Sequence, residues 1–324
     1  MRVGVVGAGA VGARAARQLV SSTAVARVLI SDEDEGRAAA VVASLGEDQA
    51  SVSDSRDVDV AVLTLPGSEH AAWARELLER GVPVVSVADG IDDVRALLEL
   101  DGLARAREVS LAVGAGFSPG LTCVLAAHAA ASLDQVDEVH IAKVGTGGPA
   151  CAQAHHRALA GEALDWRDGT WVTRRAGSGR ELCWFPDPVG GADCYRAALP
   201  DALLLEPAFA GVERITARLG ANRRDRITAR LPMLRPPHPE GGPGGIRVEV
   251  RGRRGTARVV QVLGAMDRPA VAAGTVSAVA AVQAGLRQLR RPGAGGLAEL
   301  VDPLPFLSDL AQRGVKAAVF EGAA

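Results

Sequence analysis

The sequence MRVGVVGAGAVGARAARQL, residues 1–19, starts with a short apolar run, reaches three spaced glycines and continues with alanines and arginines at helical spacing. This order predicts a strand, a tight turn and a helix. Gly7 permits the tight bend, Gly9 lets the backbone approach a pyrophosphate, and Gly12 lets the helix pack closely against the strand. The unpaired amides and partial positive charge at the start of the helix attract phosphate. The stretch therefore predicts a turn that binds a dinucleotide.

A second strand and an acidic residue follow at the spacing that such a site requires. Residues 25–30 are the predicted strand, and Asp32 lies about 20 residues beyond the glycines. Its carboxylate would accept hydrogen bonds from the adenosine ribose and repel a 2′-phosphate, which favours NAD over NADP. Arg37 is close enough in sequence to serve a 2′-phosphate, so NADP remains the alternative. The turn residues expected to contact the cofactor are Gly7, Ala8, Gly9, Ala10, Val11 and Gly12.

Strands and helices alternate up to residue 113. Strands are predicted over 50–53, 58–65, 83–87 and 109–113, and helices over 34–45, 69–80 and 91–107. The alternation predicts an α/β fold with a doubly wound parallel Rossmann sheet, in which ligands bind at the carboxyl ends of the strands. Residues after two inner strands are therefore further candidates for cofactor contacts: Thr64, Leu65, Pro66, Ala88 and Asp89. Asp89 could equally be an N-cap or a turn residue before Ile91.

The alternation stops at GAGFSPG, residues 114–120, where we expect a hinge and a helix beginning near Pro119. We predict a dinucleotide-binding domain over 1–118, a mixed-sheet α/β substrate and dimerisation domain over 119–268, and C-terminal helices over 269–324 that return to the first domain. The helix that begins near Pro119 contains the apolar stretch 121–133. The later predicted elements are helices over 151–160, 269–289 and 305–313, strands over 138–144, 170–174, 181–185, 212–219, 246–250 and 256–263, a Pro/Gly loop over 231–245, a glycine break over 292–296 and an apolar run over 315–320.

Composition excludes several classes of protein. The chain has 324 residues, 48% of them hydrophobic, and a net charge of −2 without blocks of one sign, so nothing favours nucleic acid or an anionic membrane surface. Its four cysteines have neither a CxxC motif nor zinc spacing, which predicts buried thiols and no metal site. The most apolar segment, around 270–286, is too short and too polar to span a bilayer. The first strand leaves no room for a signal peptide, so we expect a cytoplasmic protein.

Four segments resemble the saccharopine dehydrogenase-like family, which includes saccharopine reductase and lysine dehydrogenase. They are VGVVGAGAVG (3–12), VADGIDDVRALLE (87–99), VGAGFSPGL (113–121) and PGAGGLAELVDPLPFLSDLAQRGV (292–315). The resemblance implies hydride transfer between a nicotinamide and the carbon of an amino-acid C–N bond, with an amino acid or imine as substrate. The family often has aspartate where this chain has Ser118. By analogy with the fold, we expect a homodimer formed through the sheet of the second domain.

Such a reaction needs a group that manages a proton on nitrogen or oxygen. His155 and His156 titrate in the right range, but adjacent helical residues point about 100° apart, so at most one faces a cleft and either could simply pack. Lys143 ends an apolar strand, where desolvation could lower its pKa, or where it could form a structural ion pair. Asp187 and Tyr195 lie in a predicted Pro/Gly-rich turn, where each could shape a site, cap or pack. The catalytic candidates are Lys143, His156, Asp187 and Tyr195.

Two other functions remain open. A sugar or polyol dehydrogenase of the Gfo/Idh type would carry Glu-Lys-Pro after the fifth strand, with the lysine in catalysis, whereas this chain has Val87-Ala88-Asp89 there. A nucleotide-binding sensor or scaffold without catalysis would explain Ser118 and the absence of an obvious acid or base.

Overall fold

The computed structural model of the chain describes residues 1–233, 237–315 and 317–319. These residues form two compact units. The first unit contains residues 1–120 and 270–302, and the second contains residues 121–269 together with the described residues from 303 onwards. The C-terminal segment is therefore shared between the units, whereas the sequence predicted that all of 269–324 returns to the first domain.

Strands and helices alternate through the first part of the chain. Their order is β1 (Arg2–Val6), α1 (Ala10–Val20), β2 (Arg27–Ser31), α2 (Glu35–Leu45), β3 (Ala50–Val52), β4 (Val60–Leu63), α3 (His70–Glu79), β5 (Val84–Ser86), α4 (Ile91–Leu98), α5 (Asp101–Ala106) and β6 (Ser110–Ala112). The helix predicted over 91–107 is thus two helices. The break places Asp101 in the first turn of α5, where its carboxylate accepts a hydrogen bond from the Ala294 amide at 2.9 Å.

The middle of the chain continues with mainly β structure. Its elements are α6 (Leu121–Ala130), β7 (Gln135–Val144), α7 (Pro149–Ala158), β8 (Glu162–Arg167), β9 (Thr170–Arg175), β10 (Glu181–Trp184), β11 (Gly191–Arg196), α8 (Asp201–Leu205), β12 (Arg214–Gly220), α9 (Arg223–Thr228), β13 (Gly244–Arg254) and β14 (Ala257–Asp267). Strands β8 and β11 were not predicted from the sequence. The start of α6 was also predicted two residues early, because the tight turn between Gly116 and Gly120 precedes the helix.

The last part of the chain contributes to both units. Its elements are α10 (Pro269–Gly285), β15 (Gly293–Gly295), α11 (Leu297–Leu300), α12 (Pro303–Gln312) and β16 (Ala317–Val319). The predicted glycine break contains β15, and the predicted apolar run contains β16. Residues 316 and 320 of that run, and residues 234–236 of the predicted Pro/Gly loop, lie outside the described residues.

The first unit is built on a parallel sheet of seven strands in the order β15-β6-β5-β4-β1-β2-β3. All four residues of β4 are buried, as expected for an inner strand covered on both faces. Helix α1 buries residues at i, i+3, i+4 and i+7, namely Gly12, Ala15, Ala16 and Leu19. The strand order reverses between β1 and β4, and a ligand crevice forms at such a reversal, outside the carboxyl ends of the strands.

The second unit is built on a mixed sheet of nine strands. The path is β10-β11-β12-β7-β13-β14-β16, with β8 paired to β12 and β9 paired to β8. Strands β7 and β12 are parallel, and the other pairs are antiparallel. One face carries apolar buried residues, including Val139, Ile141 and Val248, and the other carries several ionic groups. The two sheets confirm the predicted α/β class with a Rossmann sheet and a second mixed sheet.

The described helices include none that is both long enough and apolar enough to cross a membrane. All four cysteines are free thiols in the described structure. Cys123, Cys183 and Cys194 are buried, as predicted, but Cys151 is only half-buried.

Candidate functional site

The glycine turn joins β1 to α1 at the reversal of strand order. Gly7 has a φ of +99°, a conformation that favours glycine, and its amide donates to the Ser31 carbonyl oxygen at 2.8 Å. A Cβ atom on Gly12 would overlap the carbonyl oxygen of Gly7. By contrast, a Cβ atom on Gly9 would meet no atom of the described residues within 4 Å. The turn thus has one glycine for the bend, one for close packing and one that faces open space.

Thr64 connects the ends of the two strands that flank this crevice. Its hydroxyl oxygen lies 2.7 Å from the carbonyl oxygen of Gly7 and 3.0 Å from that of Val6, and its amide donates to Val6 at 2.8 Å. The side chain therefore supports the glycine turn from β4. Pro66 is exposed and Leu65 half-exposed beyond it.

Asp32 follows β2 and contacts the glycine turn directly. One carboxylate oxygen accepts the Ala8 amide at 2.6 Å, and the other accepts the Asp34 amide at 2.9 Å. The side chain is 8% exposed and forms an ion pair with Arg37 at 3.3 Å. Arg37 also pairs with Asp34 at 3.4 Å. Two carboxylates therefore share one guanidinium at the adenosine end of the site, and the local charge remains negative.

The N-terminus of helix α1 carries the partial positive charge of the helix dipole, which attracts phosphate. Gly9 is its N-cap, and among the residues that the structure describes no side chain caps the helix and no acidic residue lies in its first turn. The first amides of a helix need an acceptor, and a phosphate supplies one. Ala10 and Val11 in this first turn are placed as the sequence predicted, and the residues fit a pyrophosphate.

Ala88 and Asp89 follow β5, two strands away from β1 in the sheet. Ala88 is buried, and Asp89 is half-buried. The N-cap of α4 is Gly90, so Asp89 does not cap this helix and lies in the connection before it. The sequence did not predict a role for Ser86, whose hydroxyl oxygen accepts the Ala88 amide, or for His70, which contacts Ser86. A histidine six residues after Thr64, at the start of the next helix, was the available signal.

In the second unit, Lys143 and Tyr195 share one row across the sheet. Lys143 in β7 is opposite Leu219 of β12, and Leu219 is opposite Tyr195 of β11. The two residues are thus two strands apart, about 10 Å, on the same face. Lys143 is 3% exposed and Tyr195 is 4% exposed. Tyr195 belongs to a strand, so its predicted place in a turn is wrong, and the Arg226 guanidinium covers its ring at 4.1 Å.

The histidines of α7 have different surroundings. His156 lies with Nε2 at 3.1 Å from the Thr228 hydroxyl oxygen in α9, the helix that also carries Arg226. His155 is buried, with Nε2 at 3.6 Å from the Cys151 sulfur one turn earlier. Helix α9 therefore contacts both His156 and Tyr195, and sequence reasoning missed the thiol beside His155.

Asp187 does not join this group. It is exposed in the turn between β10 and β11, and Tyr195 lies four residues, or ~13 Å, further along β11 from the first residue of that strand, Gly191. Phe185 and Val189 of the same turn pack with Ala142 and Val144, whose side chains alternate with Lys143 and point to the opposite face. The structure thus groups Lys143, Tyr195 and His156 more closely than Asp187.

Residues 1–115 match the model of GFO_IDH_MocA, an oxidoreductase family with an NAD-binding Rossmann fold. This segment is therefore similar to the NAD-binding domain of that family, which indicates NAD as the cofactor. The absence of Glu-Lys-Pro after the fifth strand therefore does not exclude a Gfo/Idh-type cofactor domain. An inositol 2-dehydrogenase of Saccharopolyspora erythraea is 40% identical over 92 residues, which cover 26% of this chain and 27% of that protein. The match thus spans about a quarter of its relative's length.

Two solved structures share the two-unit fold along nearly the whole chain. Saccharopine dehydrogenase (L-Glu forming) of Saccharomyces cerevisiae is 12% identical with a TM-score of 0.67, and the match covers 98% of this chain and 99% of that chain. An amine dehydrogenase of Mycobacterium smegmatis is 14% identical with a TM-score of 0.54, covering 93% and 96%. At these identities the likeness concerns the fold.

Proposed function

We propose that the chain is an NAD-dependent oxidoreductase that transfers a hydride between nicotinamide and the carbon of a C–N bond in an amino acid or a secondary amine. Support for the cofactor comes from the glycine turn, the uncapped start of α1 and the placement of Asp32. Saccharopine and amine dehydrogenases share the fold of both units. When bound, the nicotinamide accepts or supplies the hydride.

The observation that carries the amine proposal is the sequence Val87-Ala88-Asp89 after β5. Polyol dehydrogenases of the Gfo/Idh type have a lysine in catalysis at this place, and Ala88 has no titratable group. An amine substrate relaxes this demand, because the lone pair of a neutral amine can expel the hydride before any N–H proton is lost, whereas a hydroxyl group must lose its proton to become a carbonyl. Oxidation then gives a C=N bond, a reduced cofactor and one proton.

We place this proton transfer on Lys143. It is buried in an apolar row of the second sheet, with Leu219 and Ile246 opposite it on the two neighbouring strands. A lysine side chain buried there can exchange a proton with a substrate nitrogen that comes within hydrogen-bond distance. His156 and Tyr195, both in contact with α9, would shape the same side of the unit, and Asp187 would act only as a more distant polar group.

A substrate panel tests this proposal. Lysine, ornithine, saccharopine, pairs of 2-oxo acids with amines, and myo-inositol are incubated with NAD or NADH, and the absorbance of NADH is followed. We expect turnover in the amine group, and a loss of about 100- to 10,000-fold in kcat/KM for Lys143→Met. Arg75→Met, at an exposed position of α3, is the matched control and keeps full activity. An unaffected Lys143→Met enzyme would remove this residue from the chemistry.

Oxidation of a polyol is the second candidate, favoured by the identity of the N-terminal segment with an inositol 2-dehydrogenase. Turnover of myo-inositol without turnover of any amine would select it. Tight NAD binding without turnover of any compound, unchanged in Lys143→Met and His156→Gln, would instead select the sensor or scaffold.

We further propose a homodimer formed through the ionic face of the second sheet. On β13 this face has Arg247 and Arg251 at 2.6 Å and 2.5 Å from the Glu249 carboxylate, and on β14 it has Val260, which is 40% exposed. An apolar side chain among paired charges suits contact with the same face of a second copy. We expect twice the chain mass of 33.3 kDa at micromolar concentration by light scattering, and a monomer for Val260→Asp. A monomeric wild type would contradict the proposal.

A further inference from the structure

His70, the first residue of α3, is 1% exposed, and both of its ring nitrogens have a partner. Nε2 lies 2.8 Å from the carbonyl oxygen of Leu65, and Nδ1 lies 2.9 Å from the hydroxyl oxygen of Ser86 in β5. The Ala88 amide donates to the same hydroxyl oxygen at 3.2 Å. A chain of hydrogen bonds therefore connects the backbone after β4 with the backbone after β5.

These partners fix the position of each proton. A carbonyl oxygen only accepts, so Nε2 of His70 carries a proton and donates it to Leu65. Burial lowers the pKa of His70 and keeps the ring neutral near pH 7, so Nδ1 accepts the hydroxyl proton of Ser86. The bond to Leu65 acts against this shift, as do three carboxylates that face the ring from the start of α3, the loop after β5 and α4: Glu69, Asp89 and Asp93. The Ser86 oxygen still has lone pairs for the Ala88 amide.

The strand order indicates which end of the cofactor these residues serve. Strands β2, β1, β4 and β5 are neighbours in the sheet, and three spacings between strands amount to about 14 Å. Asp32 after β2 marks the adenosine end, and the glycine turn after β1 marks the pyrophosphate. A dinucleotide laid across the strand ends therefore places its nicotinamide half beside Leu65 and Ala88.

We propose that His70 is a positioning residue for the nicotinamide half of the cofactor: it holds Leu65 and, through Ser86, Ala88 in the conformation that binds this half, without touching the cofactor itself. This proposal depends on the NAD site and does not depend on the identity of the substrate. The role is separable from general stability, because ADP binds only the half of the site formed by Asp32 and the glycine turn.

The test compares the Kd of NADH with the Kd of ADP, measured by fluorescence titration and calorimetry. His70→Gln keeps a donor for Leu65 and loses Ser86, Ser86→Ala loses the connection to Ala88, and His70→Leu loses both. We expect the Kd of NADH to rise about three- to tenfold in the first two variants and about tenfold or more in the third, with the Kd of ADP unchanged.

His140→Gln is the matched control. This histidine of the second unit also has partners on both nitrogens, Thr216 at 2.8 Å and Glu138 at 2.7 Å, and burial lowers its pKa. We expect a lower Tm for it and no change in either Kd. If His70→Leu does not fold, the result for Ser86→Ala decides between the outcomes, because this variant removes only a hydroxyl group.

Three results would contradict this account. Equal weakening of NADH and ADP binding, or an unchanged Kd of NADH in folded Ser86→Ala and His70→Gln, would overturn the proposal. A wild type that binds ADP but not NADH would overturn the assignment of the nicotinamide end.

Discussion

Gly9→Ala is expected to fold like the wild type and to weaken NAD binding about 100-fold. The new methyl group would meet no atom of the described protein within 4 Å, so the folded chain accommodates it. Gly9 is the N-cap of α1 with an extended backbone, φ −70° and ψ −169°, which alanine also adopts. The open space beside Gly9 is where the pyrophosphate must approach the backbone, and a methyl group there keeps the phosphate away from the helix amides.

Two other glycines in the same unit make this result specific. Gly102→Ala in α5 also places its methyl group in open space, so it should leave the Kd of NAD unchanged and should not lower Tm. Gly12→Ala would push against the Gly7 carbonyl oxygen and should lower Tm as well as affinity. Thermal unfolding and calorimetric titration of the three variants give the comparison. If Gly9→Ala binds NAD as tightly as Gly102→Ala does, the phosphate does not lie at this turn.

Asp32→Ser is expected to change the preference from NAD towards NADP by about 100-fold in the ratio of kcat/KM values. The wild-type carboxylate accepts ribose hydrogen bonds and repels a 2′-phosphate, and it occupies the guanidinium of Arg37 at 3.3 Å. Removing it frees that guanidinium from one of its two carboxylates, and a freed arginine can form charge-assisted bonds to a phosphate. The remaining serine hydroxyl still offers an acceptor to the Ala8 amide.

The double variant Asp32→Ser, Arg37→Ala separates the two causes. It should lose affinity for NADP relative to the single variant while its affinity for NAD stays about the same. Titrations with both cofactors decide the matter without any substrate. A single variant that still prefers NAD would mean that the adenosine ribose does not reach Asp32.

The cofactor half of the molecule could be predicted from sequence because its signals are local. The turn at Gly7, the alternation of strands and helices, and Asp32 after β2 all depend on neighbours within a few residues, and the structure shows them as expected. What the sequence could not show was the ion pair that commits Arg37 to Asp32, since that depends on the conformation of a side chain. The seventh strand, β15, could not be recognised within its glycine-rich run, because it is defined by pairing with β6, which is far away in sequence.

The second unit was harder because its strands are defined by partners distant in the chain. Strand β8 has little β-branched character, yet it pairs with both β9 and β12. One local signal was available in the sequence, the Asp168-Gly169 dipeptide between β8 and β9. Both residues have positive φ in the structure, as a tight hairpin turn requires. Strand β11 was taken for a loop because Pro186, Pro188 and two glycines, Gly190 and Gly191, precede or begin it. The error moved Tyr195 from a buried strand to a turn.

The buried His70 shows that a binding site can include residues outside the sequence motif that identifies it. Its partners are a backbone carbonyl five residues earlier and a serine sixteen residues later, and only the neighbouring strands β4 and β5 bring them together. Sequence spacing identifies residues that touch a ligand more easily than residues that hold those residues in place.

Transfer of deuterium from NADH labelled at the nicotinamide C4 position tests the central claim most directly. The protein is incubated with labelled cofactor, a 2-oxo acid and an amine, and with the ketone derived from myo-inositol in a parallel sample, and the products are analysed by mass spectrometry and NMR. We predict deuterium on the carbon bonded to nitrogen in the amine product. Deuterium only on the carbinol carbon of the inositol product, or in no product, would contradict an oxidoreductase that acts on C–N bonds.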